Sequence, residues 1–313
     1  MRGPEPQSGM DTVMSATSPF PSVSAEKQIG FETWMERALE HADAVRKDWR
    51  PAAVHDLRVA LRRCRTMAQA LGEMAPDASW QKVKKESRDL FDALGDLRDT
   101  QVERRWVKRL VPAGDAVRRQ LLRELSRRER KRRARAARAL ERFDAKAWHK
   151  LARKLAPEAQ QFQRERIEFE RLAVERLTEV VELYRRARKG RSRIAWHRLR
   201  IALKRFRYLV ENFLPQRYAA WGRDLKQFQD SLGAVHDLDV LRIEVRRRSN
   251  GIEESSLATL LGKIDNARLE CLDKFRARVS GSKSPWDAWR DKLPFGATPK
   301  VTPGLAHAAS SAG

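Results

Sequence analysis

The sequence predicts an all-α fold organised as two homologous halves of about four helices each. Three observations carry this reading. Apolar residues recur at spacings of three and four, and no strand-like alternation survives anywhere. Glycine and proline fall at wide intervals, leaving long stretches for helices between them. A basic motif occurs twice, each time followed by the same second motif.

The punctuation sets the elements. A first helix near 28–47 ends before Pro51, which opens a second over 51–73, because a first helical turn tolerates proline. Pro76-Asp77 closes it and starts a third over 77–109, and Pro112 separates that from a fourth over 113–142. After Pro157 come helices near 158–188, 192–213, 217–248 and 253–279, with Gly190, Pro215 and Gly251 at the joints. The expected organisation is a disordered tail over 1–25, one helical domain over 26–280 with halves of about 26–145 and 155–280, and a mostly disordered tail over 281–313. Both tails are low in apolar content and rich in Pro, Ser, Gly and Ala.

Composition narrows the function. The 313 residues include 66 Lys and Arg against 42 Asp and Glu, a formal charge of +24, so a polyanionic partner is the first expectation. No apolar run approaches the ~20 residues that cross a bilayer, which excludes an integral membrane protein. The first 27 residues lack the continuous apolar stretch of a secretory signal, so a cytoplasmic home is expected. Cys64 and Cys271 have no neighbour at CxxC spacing and read as small core residues. Trp80, Trp106 and Trp148 read as core anchors, since they form no repeated row on which bases could stack.

The repeat is the most informative feature. The block from His55 to Arg65, HDLRVALRRCR, aligns without a gap on HRLRIALKRFR from His197 to Arg207, at an offset of 142 residues. Leu94 to Val102, LGDLRDTQV, aligns on Leu232 to Val240, LGAVHDLDV, at an offset of 138, and Lys85, Arg88 and Asp92 meet Arg223, Lys226 and Asp230 at that same offset. On a helix His55, Arg58, Arg62 and Arg65 fall within an arc of about 80°, beside an apolar arc of Val54, Leu57, Leu61, Cys64 and Ala68. No acidic residue at i+3 or i+4 relieves the repulsion among those cations, and His197, Arg200, Lys204 and Arg207 repeat the arrangement. An anion seated on the face explains it better than solvation does. Lys131 to Arg133 and Arg246 to Arg248, by contrast, read as solvated faces. His55 and His197 could pack between helices or donate to an anion. Asp99 and Asp237 read as holding basic side chains or capping turns, and Gly95 and Gly233 as permitting close packing or a bend.

These blocks, with LGDLRD in one half and LGAVHD in the other, resemble the CHAD family, the conserved histidine α-helical domain, over roughly residues 24–280. The resemblance implies two four-helix bundles related by a pseudo-twofold axis, their basic faces lining a central channel or groove that holds inorganic polyphosphate. Carried over position by position, it implies binding roles for His55, Arg58, Arg62, Arg63, Arg65, Arg88 and Arg98 in the first half. In the second half it implies them for His197, Arg200, Lys204, Arg205, Arg207, Lys226 and His236. Arg62 against Lys204 and Arg98 against His236 depart from identity, but each keeps a donor. The expected protein is a non-catalytic polyphosphate-binding module, without cofactor or metal, for targeting to or regulating polyphosphate stores or granules. No P-loop, paired carboxylates, activated nucleophile or metal-binding cluster is visible. The alternative is a basic helical protein that binds nucleic acid, at least weakly and non-specifically, through counterion release.

Overall fold

A computed structural model describes residues 30–74, 77–162, 166–190, 192–280 and 284–294. The expected tail over 1–25 and most of the one over 281–313 lie outside these residues. Every regular element described is a helix. The first half runs α1 (Phe31–Lys47), α2 (Pro51–Met74), α3 (Ala78–Glu86), α4 (Arg88–Leu110), α5 (Ala116–Glu141) and α6 (Ala145–Phe162). The second runs α7 (Arg166–Lys189), α8 (Arg193–Phe213), α9 (Pro215–Arg247), α10 (Glu254–Val279) and α11 (Pro285–Asp291). Pro51 and Pro215 occupy first helical positions, as their fixed φ favours. Asp115 accepts from the backbone N–H of Val117 at 2.7 Å to start α5, and Ser192 accepts from Ala195 at 3.3 Å to start α8.

Three elements differ from the sequence expectation. The helix expected over 77–109 breaks at Ser87, whose hydroxyl donates back to the Val83 carbonyl at 2.7 Å while Arg65 donates to Lys84 O at 2.6 Å and to Ser87 Oγ at 3.0 Å. Arg65 thereby satisfies the carbonyl end of α3. The matching segment of the second half, α9, runs unbroken for 33 residues. Pro157 does not open a helix but sits inside α6, which begins twelve residues earlier. Its exposed position means that only a solvent-side ladder bond is lost. The apolar face of α6 anchors it to α1: Trp148 is fully buried and its indole N–H donates to Met35 O at 3.0 Å. Finally α11 falls within the segment expected to be mostly disordered. Its Trp286 and Trp289 are buried against Phe228, with ring centroids 5.3 and 5.8 Å away, so aromatic burial outweighs the polar composition around it.

The main core is shared by both halves and contains Leu57, Leu61, Cys64, Trp80 and Trp148 together with Leu199, Phe206, Trp221 and Phe228. A smaller core joins the far ends of α4 and α9 to α5 and α10, through Trp106, Leu125, Leu238 and Ile264. Cys64 lies fully buried, and Cys271 is half-buried where the two cores meet.

A buried polar network fastens α2 to α8. Arg63 ion-pairs with Glu211 and donates to Asn212 Oδ1 at 3.0 Å, its guanidinium lying over Trp34 and Tyr208 at 5.2 and 5.4 Å. Glu211 also faces Arg207 at 3.4 Å and accepts from the Tyr218 hydroxyl at 2.9 Å. Burial on its own would raise the Glu211 carboxyl, but Arg63 and Arg207 hold it below its ordinary value. Glu211→Gln, which strands both arginines, should lower stability by about 3 kcal/mol in chemical denaturation. Arg205→Ala, at the exposed mate of Arg63, should change it by less than about 0.5 kcal/mol. With a depressed folded pKa, the Glu211 contribution is complete above the unfolded carboxylate range and is lost as pH falls through the folded value.

Candidate anion-binding site

The repeated motifs meet. Helix α2 contacts α4 and α8, and α9 contacts both α4 and α8, so the four motif-bearing helices close a ring, two from each half. From α2 come His55, Arg58 and Arg62; from α8 come His197, Arg200 and Lys204; α4 adds Arg98 and α9 adds His236. All are partly shielded from solvent. The apolar faces of α2 and α8 go into the shared core, which turns the adjoining basic faces toward one another.

The electrostatics show how closely the halves approach. Lys204 is pushed down to about 7 by burial and by Arg62, Arg200 and Arg58, so cations of both halves act on one ammonium. Burial, then Arg98, Arg62, Arg58 and Arg105, hold His55 down to about 4. Burial and Arg62 lower Arg58 to about 10. His236 is held at about 4 by burial, Arg200 and His197, and the two imidazoles share a hydrogen bond between their Nδ1 atoms at 3.2 Å. At least one of those rings is therefore neutral.

Two acids temper this field. Asp237 is pushed up to about 6, by burial first and by Asp99, against the pull of Arg200. Asp99 acts in turn on Arg58, Arg132 and Arg200. Both carboxylates balance arginines at a distance: among the described residues no carboxylate lies within the 4 Å of an ion pair from Arg58, Arg62, Arg200 or Lys204. Arg58 Nη1, Arg62 Nε and Arg200 Nε are buried donors without an acceptor. Buried donors normally have acceptors, and three of them in one cluster mark it as a candidate site for an anion.

Gly95 makes room for this arrangement. A Cβ there would stand 2.7 Å from Arg58 Nη1, whereas a Cβ at Gly233 would meet nothing within 4 Å. Close packing at Gly95 is thus of backbone against a guanidinium, and neither glycine breaks its helix.

Six expected residues lie elsewhere. Arg63 is locked in the Glu211 network, and Arg207 is held by Glu211. Arg65 closes α3, although its stem reaches a neighbouring cleft. Arg205 is exposed at the rim of that cleft. Arg88 and Lys226 each stand ten residues before Arg98 and His236, about 15 Å along their helices, and Lys226 pairs with Asp230 at 3.2 Å. The expectation of solvated basic runs also needs correction at Arg132, which donates to Asp96 O at 2.8 Å and Thr100 Oγ1 at 2.6 Å. Lys131 is exposed, and Arg133 lies over Trp49.

Sequence reasoning missed Arg105 and Tyr208. Arg105 follows Arg98 by two helical turns on the same face, but its repeat mate is Ile243, so a search for matched basic pairs passes over it. Tyr208 is buried with an unpartnered hydroxyl, its ring under the Arg62 guanidinium at 5.3 Å, and its repeat mate is Thr66. Among the described residues, no group of three His, Cys, Asp or Glu could hold a metal ion, and no helix is long and apolar enough to cross a membrane.

Comparison with known proteins agrees with the motifs. The crystal structure of the CHAD domain from the plant Ricinus communis is 22% identical, with a TM-score of 0.56, covering 88% of this chain and 96% of that one. PptA from Streptomyces chartreusis is 18% identical with a TM-score of 0.60, covering 80% of this chain and 96% of that one. At these identities the likeness is one of fold. No curated protein matches the sequence. The CHAD domain model, however, matches residues 31–246, which contain every motif described above, and the chain belongs to the CHAD domain family.

Proposed function

We propose that the cluster enclosed by α2, α4, α8 and α9 binds inorganic polyphosphate without transforming it, and so places the protein on polyphosphate stores or regulates their use. The observation that carries this is the convergence of matched cations from both halves on buried donors that lack acceptors. Guanidinium forks suit phosphate oxygens, and a ligand with neither base nor sugar needs only such donors on a rigid frame. The reading is tested by Arg58→Glu, Arg62→Glu and Arg200→Glu in one variant. Polyphosphate affinity should fall at least about 100-fold at fixed salt with helical content unchanged. Reversal of the surface residues Arg127, Arg130 and Lys131 should lower it by less than about threefold. Equal losses would mean a diffuse positive surface. Labelled RNA should be displaced by polyphosphate at physiological salt and fail to displace it; symmetrical exchange would favour a nucleic-acid function instead.

The two glycines offer a second test. Gly95→Ala and Gly233→Ala should each raise helix stability by up to about 1 kcal/mol. Only Gly95→Ala should weaken polyphosphate binding, because only there does the new methyl group displace Arg58.

Binding should also take up protons. A phosphate oxyanion beside Lys204, His55 and His236 raises each from its depressed value of about 7, 4 and 4. Affinity should therefore fall as pH rises from about 5 to about 9, first through the imidazoles and then through the ammonium. Calorimetry in buffers of different ionisation enthalpy reads that proton directly, and pH-independent binding with no proton uptake contradicts it.

A further inference from the structure

Beside the cluster, between α2, α4, α7 and α8, opens a cleft of about 280 Å³ whose lining adds apolar surface to cations. Arg62 and Lys204 belong to both. Arg65, Lys84, Arg176 and Arg205 also line the cleft, and between these cations runs an apolar stretch formed by Phe91, Leu172, Ile201, Leu209 and Phe213. An inorganic chain of phosphates can use the cations but gains nothing from the apolar stretch, since it has no apolar area to remove from water. Along α2 one polar row faces the same space: Thr66, Gln69 and Glu73 at i, i+3 and i+7. The Gln69 amide donates to Glu73 Oε1 at 3.1 Å, and Arg176 approaches Glu73 at 3.4 Å. The Glu73 carboxylate, offset by Arg176, keeps lone pairs that can accept from an amino group. The buried, unpartnered atoms Arg62 Nε and Tyr208 Oη both belong to residues that line the cleft.

An aromatic-bearing apolar wall, a row of donors and acceptors, and a cationic exit together describe a ligand with a flat, edge-polar body and an anionic tail. We propose that the cleft receives the nucleoside end of a nucleoside polyphosphate, the base against Phe91, Leu172 and Phe213, its edge toward Gln69 and Glu73, and its phosphates over Arg62 and Lys204 into the cluster. An acyl chain would bury the wall equally well but would leave Thr66, Gln69 and Glu73 unmatched. The volume of about 280 Å³ falls just below the roughly 300–1,000 Å³ typical of ligand sites, which suits a nucleoside whose tail leaves the cleft. The tail half of this proposal rests on the polyphosphate reading; the nucleoside half rests on the cleft alone.

The test is calorimetry on the full chain with ATP, GTP, CTP and UTP, against inorganic triphosphate as the tail without a base, at fixed salt and without divalent cations. At least one nucleoside triphosphate should bind about tenfold or more tightly than triphosphate. Leu172→Asn and Ile201→Asn, at half-exposed wall positions, should remove that advantage and leave triphosphate binding within about twofold. If no nucleoside triphosphate exceeds triphosphate, or if the advantage survives both substitutions, the cleft proposal is wrong while the cluster can still bind polyphosphate. If the base-dependent advantage holds while polyphosphate affinity is indifferent to the Arg58, Arg62 and Arg200 reversals, the polyphosphate reading fails and the cleft stands.

Discussion

Like charges held together within a half-dry space are the constraint around which the molecule is built. Arg58, Arg62, Arg200 and Lys204 repel one another, and water reaches them too poorly to screen the repulsion. Left to itself, such an arrangement would push α2 and α8 apart. The structure opposes it in two ways. Asp99 and Asp237 lower the local potential without closing an ion pair on any of the four cations, and the Arg63–Glu211 network, a turn away, clamps the same two helices. Charge is therefore tempered at a distance in the cluster and by direct contact beside it. That division keeps the field in place while the frame around it holds.

The two halves solve the same problem with different parts. At one repeat position Arg63 is buried and structural while Arg205 is exposed. At another, Arg65 finishes a broken helix while Arg207 answers a glutamate. Gly95 gives space to a guanidinium and Gly233 gives it to nothing. Positions 55, 58, 62, 98 and 99, by contrast, keep one place with their mates in both halves. Matching of sequence thus overstates matching of role, because a side chain's task depends on which helix crosses it.

That difference explains what the sequence disclosed and what it withheld. Helical periodicity and proline placement located α2, α8 and α9 to within about two residues and put α4 inside a longer expected helix. The arc containing His55, Arg58 and Arg62 identified the basic face from angles alone, and the same arithmetic puts Arg63 away from it, toward the side where Glu211 waits. Arg65 shares the arc but lies one turn beyond the crossing, a distance that no helical wheel records. The break at Ser87, the burial of Trp286 and Trp289, and the contribution of Arg105 depend on tertiary partners, and those leave no local pattern. The cleft was invisible for the same reason, being assembled from α2, α4, α7 and α8, whose residues are far apart in the chain.

The Arg63–Asn212 hydrogen bond spans 149 positions of chain. During synthesis α2 leaves the ribosome long before α8 exists, and at about 5–20 residues per second the interval is on the order of ten seconds. Throughout it, the apolar face destined for the shared core and an arginine destined for burial are both without partners. The first half is thus a nascent intermediate rather than a finished unit, and closure of the long loop between α2 and α8 is the late, entropically slow event of folding. A ribosome stalled after α2 and before Glu211 carries a chain whose α2 basic face is complete and whose clamp is not, a species suited to capture by holding chaperones or by the ribosome's own RNA.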